Sequence, residues 1–187
     1  MSQDSKNIES AKLFAKDKHR NKTRDDSKTP YSDHLESVVN RLKNLGITDE
    51  DVLCAAWLHD TIEDTDTTFD DIERRFGSNI AVMVLSVSKD TKLSKKEKEK
   101  QYIEQLKNAP WQAQLIKLCD ISSNLKDLKN SGWSKSKKKN YVKKKLHNLN
   151  VIKSGLTQHK SNVPGIQSIV DGINQVLVSH SQKPITI

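Results

Sequence analysis

The segment Leu58-His59-Asp60-Thr61-Ile62-Glu63-Asp64-Thr65 places an imidazole and three carboxylates directly after an apolar run. If the helix continues through it, a spacing of four sets His59 over Glu63 and Asp60 over Asp64. Carboxylates crowded just past a buried run repel one another unless a cation sits among them. An adjacent His and Asp can offer a nitrogen and an oxygen to the same divalent ion.

Two distant residues share this character. His34 follows the loop that ends in Pro30-Tyr31, and Asp120 ends the apolar run Leu115-Ile116-Lys117-Leu118-Cys119. Each is an ionisable group at the edge of an apolar helix face. Two imidazoles and two carboxylates suit Mn²⁺, Fe²⁺ or Zn²⁺ with positions left for water. Such an ion polarises a phosphoryl oxygen and lowers the pKa of bound water toward ~7. Glu63 and Asp64, one turn beyond, stand where proton-transfer groups are needed. His19, His147, His159 and His180 have no acidic cluster around them and read as surface residues.

The elements that must position these groups are helices. With only 6 Gly and 4 Pro in 187 residues, the chain lacks the turns of a sandwich or barrel. Ile8, Ala11, Leu13, Phe14 and Ala15 mark a helix over 8–18, followed by a loop over 19–31. Ser32 is the expected N-cap of a helix over 33–44, and Thr48 with Asp51 a capping-box variant before 49–60. Thr68 with Asp71 repeats the device before a helix that Gly77 stops. Residues 79–88 are ambiguous between strand and buried helix; without a visible partner strand, helix is the reading. Further helices are expected from Ser94 to about 107, from Pro110 to Cys119, over 135–154 with Gly155 behind, and over 165–180. The expectation is one all-α domain spanning 1–187.

Charge adds a second pattern. The net charge is +8, yet residues 1–85 carry 12 basic and 17 acidic side chains, while 86–160 carry 19 and 6. A basic protein of this kind can bind nucleic acid, an anionic membrane or a small polyanion. The longest apolar run, Val52–Leu58, is far short of the ~20 residues that span a bilayer. The N-terminal MSQDSKNIES lacks a signal-peptide core. Cys54 and Cys119 sit in apolar stretches and read as small buried hydrophobes, which places the protein in the cytoplasm. Of the lysines in 92–100 and 135–145, Lys95, Lys98 and Lys137 are the best candidates for holding phosphate, and the others form a solvated face.

These residues resemble the HD-domain phosphohydrolases, and within them the (p)ppGpp hydrolase domain of the RelA/SpoT proteins, in particular the small hydrolase-only group. The likeness covers about 11–156 and rests on KHRNKTR (18–24), TPYSDH (29–34), AAWLHDTIEDTDTTFDDIERRFG (55–77), IKLCDISSNLKDL (116–128) and GWS (132–134). It implies an HD-domain helical bundle, with 157–187 as a C-terminal helical extension. It implies metal ligation by His34, His59, Asp60 and Asp120, Mn²⁺ as the ion, and Glu63 and Asp64 as catalytic acids. It further implies Asn124 near the nucleotide sugar, Arg24 on the purine, and Tyr141 facing substrate with Lys137 one turn earlier. Leu35, Ile121 and Asp25 depart from the family pattern, which has proline, a basic residue and lysine there.

The implied activity is removal of the 3′-pyrophosphate from (p)ppGpp or (p)ppApp by a hydrolase without synthetase or regulatory domains. Two alternatives stand beside it. One keeps the metal and changes the substrate, as in an NADPH 2′-phosphatase. The other is a basic helical module that binds nucleic acid, against which few aromatics interleave with the lysines and no recognition-helix motif is present.

Overall fold

The computed structural model describes residues 3–187, with side chains from residue 7 onward. Every regular element among the described residues is helical, and the one strand-like pairing is an isolated bridge between Thr23 and Pro30. The all-α expectation holds. In chain order the helices are α1 (Gln3–Lys18), α2 (Tyr31–Asn44), α3 (Glu50–Leu58), α4 (Thr61–Asp64), α5 (Phe69–Phe76) and α6 (Ser78–Val87). They continue with α7 (Lys95–Lys107), α8 (Trp111–Asp127), α9 (Lys135–Gln158) and α10 (Ile166–Ser179).

Local chemistry explains most boundaries. Thr68 and Asp71 form a reciprocal capping box, and Ser94 and Ser134 accept from the backbone N–H three residues on. Gly77 ends α5 at φ 91°, a conformation that other residues rarely adopt. The ambiguous segment 79–88 is helical, as expected. Two caps differ from the expectation. Pro30, extended at ψ 141°, leads directly into α2, so Ser32 lies inside the first turn. Asp49, not Thr48, caps α3, its carboxylate accepting from Val52 N at 3.2 Å.

Two helices run past their expected ends. α8 continues beyond Cys119 to Asp127, because no Gly or Pro interrupts it and Ile121, Leu125 and Leu128 keep its apolar stripe buried. This places Asp120 and Asn124 on one helical face. α9 passes through Gly155 to Gln158, so Gly155 is not a stop. It is a close-approach residue. A Cβ there would run into the side chain of Gln114 on α8, with Cδ only 2.9 Å away.

α3 and α8 form the centre. Val52 to Leu58 are all buried, and α3 packs against α1, α2, α6 and α8. α8 touches α2, α3, α6, α9 and α10. Leu13 departs from its helix's apolar pattern and faces solvent. The tail after α10 folds back: Asn174 exchanges two hydrogen bonds with the Ile185 backbone, at 2.8 and 2.9 Å, and Ile185 and Ile187 are buried.

Gly155→Ala tests the α8–α9 approach. Buried Gln114 donates from Nε2 to the Leu106 and Lys107 carbonyls at 3.1 and 3.2 Å, and the added methyl would displace it. Losing these bonds costs about 1–3 kcal/mol, outweighing the ~1 kcal/mol gained from replacing a helical glycine. The urea midpoint should fall by the equivalent of up to about 2 kcal/mol with an unchanged slope. A raised midpoint would show that Gln114 moves aside freely.

Candidate metal centre and adjoining cavity

The four expected ligands converge from three central elements: His34 from α2, His59 and Asp60 from the turn ending α3, and Asp120 from the middle of α8. One ligand atom each from His34, His59 and Asp120 lies within 4.8 Å of the other two, and all three residues are buried. Asp60 falls outside that tightest group but joins it through Oδ2, 3.1 Å from His59 Nε2 and 3.6 Å from His34 Nε2. His34 Nε2 also lies 3.2 Å from Asp120 Oδ1.

Both imidazoles are held by their other nitrogen. His59 Nδ1 meets the Ala56 carbonyl at 2.7 Å, which only accepts, so Nδ1 carries the hydrogen. His34 Nδ1 lies 3.3 Å from Ser123 Oγ, whose own hydroxyl donates to Ser37 Oγ at 3.2 Å. In its neutral form each imidazole therefore carries its lone pair on Nε2, the atom that faces the carboxylates. Both Nε2 atoms are buried without an aligned hydrogen-bond partner, despite the nearby carboxylates. Buried polar atoms rarely go unsatisfied. Ligand atoms bound at ~2.1 Å with right-angle geometry stand about 3 Å apart, close to the nitrogen–carboxylate separations here. The donor set fits a divalent ion.

The neighbouring side chains fix these ligands. Tyr31 donates to Asp60 Oδ2 at 2.6 Å, its phenol kept protonated by burial and by the Asp60 charge. Buried Lys117 pairs with Asp120 Oδ2 at 2.9 Å. Burial raises the Asp120 carboxyl, yet Lys117, Lys145 and His34 outweigh it and hold the group well below the usual range. Sequence reasoning missed both residues. A signal for Lys117 was present, since one lysine interrupts the apolar run three positions before Asp120.

Glu63 does not stack on His59, because α3 ends at Leu58 and α4 begins at Thr61, whereas Asp64 keeps its helical turn on Asp60, its N–H donating to the Asp60 carbonyl at 2.9 Å. Their repulsion is relieved by lysines instead. Glu63 accepts from Lys89 N at 3.0 Å, and Asp64 pairs with Lys22. His19 is buried, not at the surface: Nδ1 meets the Ala15 carbonyl at 2.9 Å, and the ring stacks on Tyr31 at 4.9 Å.

Beside the ligands lies a cavity lined by Arg24, Asp25, Asn124, Asp127, Trp133 and Tyr141, among others. Arg24 reaches it from the 19–31 loop, whose turn is tied by Asp26 accepting from Lys28 N, Thr29 N and Thr29 Oγ1. Arg24 donates to Asn124 Oδ1 at 2.8 Å, and Asn124 Nδ2 donates in turn to Asp120. The cavity is thus wired to the metal group. Lys137 sits over the Trp133 ring at 3.9 Å, at the edge of this cavity. Lys95 is exposed, and Lys98 reaches the Thr91 carbonyl; neither lines this cavity. Lys117 and Lys145 stand nearer the ligands, Lys145 over the Tyr141 ring at 5.1 Å.

The family model described as HD domain matches residues 11–150. Guanosine-3′,5′-bis(diphosphate) 3′-pyrophosphohydrolase MESH1 of Danio rerio is 44% identical over 133 residues, covering 68% of this chain and 74% of that protein. Its Xenopus tropicalis counterpart is 40% identical over 177 residues, covering 89% and 99%. The solved structure of a metazoan SpoT ortholog, reported to hydrolyse ppGpp and to act in starvation responses, superimposes with a TM-score of 0.79. It is 30% identical and covers 92% of this chain and 94% of that one.

The site makes two measurements informative. Burial lowers the His59 imidazolium, but Asp60 and Asp120 outweigh it and raise the group to about 9 in the metal-free protein. That stabilisation is complete below about pH 6.5 and is lost as pH climbs toward 9. Burial pushes Lys145 down to about 8, an effect of opposite sign that enters only above that pH, while His19 and His34 are lowered and titrate below 6.5. Chelator-treated protein should therefore melt at lower temperature at pH 8 than at 6.5. Metal affinity should rise over the same interval, because the ion displaces the His59 proton. An apo melting temperature that climbs instead would place His59 neutral. Separately, Tyr31→Phe should weaken metal binding about tenfold in a chelator competition.

Proposed function

The chain belongs to the HD-domain family, and from that premise we propose that it is a cytoplasmic, metal-dependent alarmone hydrolase. It removes the 3′-pyrophosphate of (p)ppGpp or (p)ppApp, yielding GDP or GTP, or their adenine counterparts, and pyrophosphate. One observation carries this reading: two buried, unpartnered Nε2 atoms face two carboxylates beside a cavity lined by Arg24, Asn124, Trp133 and Tyr141. The activity of the MESH1 relatives supports it.

His34, His59, Asp60 and Asp120 would hold the ion, for which Mn²⁺ matches the mixed nitrogen and oxygen donors. When bound, it supplies Lewis acidity to a phosphoryl oxygen and to water. In the hydrolysis, a water oxygen bonds to the phosphorus on the 3′ oxygen, the P–O3′ bond breaks, and the 3′ oxygen takes up a proton. Glu63 and Asp64 are the groups that accept the water proton and return one to the leaving oxygen. Their anchors, Lys89 N and Lys22, keep the two carboxylates in place. Arg24, Tyr141 and Trp133 supply flat surfaces for the purine, and Asn124 stands at the sugar, between Arg24 and Asp120. Lys117, Lys145 and Lys89 concentrate positive charge where the pyrophosphate must lie, with Lys137 at the cavity edge.

No helix among the described residues is long and apolar enough to cross a membrane. The favoured partner is a small nucleotide, as for the MESH1 relatives, and the whole chain is read as one catalytic unit.

Purified protein with Mn²⁺ should convert ppGpp to GDP and pyrophosphate, with ppApp and NADPH assayed in parallel. Asp60→Ala should lower kcat/KM by at least about 10³-fold, together with the bound metal measured by elemental analysis. Failure on both ppGpp and ppApp with metal bound would overturn the proposal. Phosphate release from NADPH alone would move the activity to the 2′-phosphatase class.

A further inference from the structure

α8 carries its active-site residues, Asp120, Asn124 and Asp127, on one face. Ser122, Leu125 and Lys126 occupy the opposite face, and Lys129 follows in the short turn after the helix. That second face forms one wall of a cleft of about 650 Å³. The last turns of α10 form another wall, Arg41 enters from α2, and Lys138 enters from the start of α9. The volume lies within the range of small-molecule sites.

The chemistry of the cleft is one-sided. Arg41, Lys126, Lys129 and Lys138 line it, and no carboxylate does. None of the four pairs with a carboxylate of the described residues. Arg41 is partly buried and is held by neutral groups: its Nε donates to Ser122 Oγ at 3.3 Å, and its Nη1 donates to the Ser37 carbonyl at 3.1 Å and to Ser37 Oγ. No described residue partners its Nη2. Leu125, Leu128 and Val176 add an apolar floor. Gly172 leaves the α10 wall bare, although a Cβ there would meet nothing within 4 Å. A glycine inside a helix weakens it, and here close packing does not require one.

We propose that this cleft is a second ligand site, separate from the metal centre, that takes a nucleoside diphosphate or a similar phosphorylated ring compound. Its phosphates pair with Arg41, Lys126, Lys129 and Lys138, and its ring lies on the apolar floor against α10. Occupancy is transmitted to the metal centre. Arg41 donates to Ser37, Ser37 accepts from Ser123, and Ser123 receives His34 Nδ1, so drawing Arg41 toward an anion reorients a candidate metal ligand. The binding site does not depend on the hydrolase reading, and its test uses no substrate turnover.

ADP should be titrated into metal-free, ¹⁵N-labelled protein, followed by backbone amide and histidine side-chain NMR, with pyrophosphate as a second probe. The Gly172, Gln175 and Ser179 amides should shift with saturation, and the His34 ring signals should move in step. In the double variant Lys126→Glu/Lys129→Glu, which alters two exposed side chains, ADP affinity at these amides should fall at least tenfold and the linked His34 response should vanish. Pyrophosphate should bind at least tenfold more weakly than ADP. ADP shifts confined to the Arg24–Tyr141 cavity would overturn the second site. A His34 response that persists in the double variant would overturn the coupling, and equal affinity for pyrophosphate would overturn the nucleotide assignment.

Discussion

Two imidazoles and two carboxylates meet inside an aliphatic bundle, and much of the molecule is organised around the cost of keeping them there. An isolated buried charge is expensive, and a buried pair is tolerated only when its remaining donors and acceptors are satisfied. Here the compensation comes from several elements. Lys117 answers Asp120 from one turn earlier on the same helix, and Tyr31 answers Asp60 from the start of α2. Arg24 reaches Asp120 through Asn124. The remaining unmet capacity is two buried Nε2 atoms, which fit an ion.

This constraint explains why α8 is long and runs through the centre. It must expose Asp120 and Asn124 to the site while burying Ile121, Leu125 and Leu128, so one helix carries both core and chemistry. Its close approach to α9 is set by Gly155, and that approach brings Tyr141 and Lys145 to the same end of the cavity as Trp133. Packing and function are joined at the level of a single glycine.

Much of this was legible in the residues. Apolar periodicity placed nearly every helix, and the HDTIED string with His34 and Asp120 named four side chains that converge in the fold. What stayed hidden depended on tertiary distance. Sequence spacing set Glu63 over His59 by extending α3, but the chain breaks at His59-Asp60 so that those side chains can turn inward. Gly155 read as a stop because its neighbour, Gln114, is 41 positions away in sequence. His19 read as surface because its cover is Tyr31, beyond a loop. The rim lysines drew attention by their number, whereas Lys117, which pairs with Asp120, is single, buried and flanked by apolar residues.

The two thiols bear on how the protein can be handled. Cys54 and Cys119 are fully buried, and burial pushes both up to about 12. At neutral pH only roughly one in 10⁵ is ionised, and the thiolate is the reacting form. Neither side chain is open to an alkylating reagent or to glutathione. A cysteine introduced on the surface would be the sole fast-reacting thiol, so dyes or spin labels could be attached at chosen points without first removing the native sulfurs.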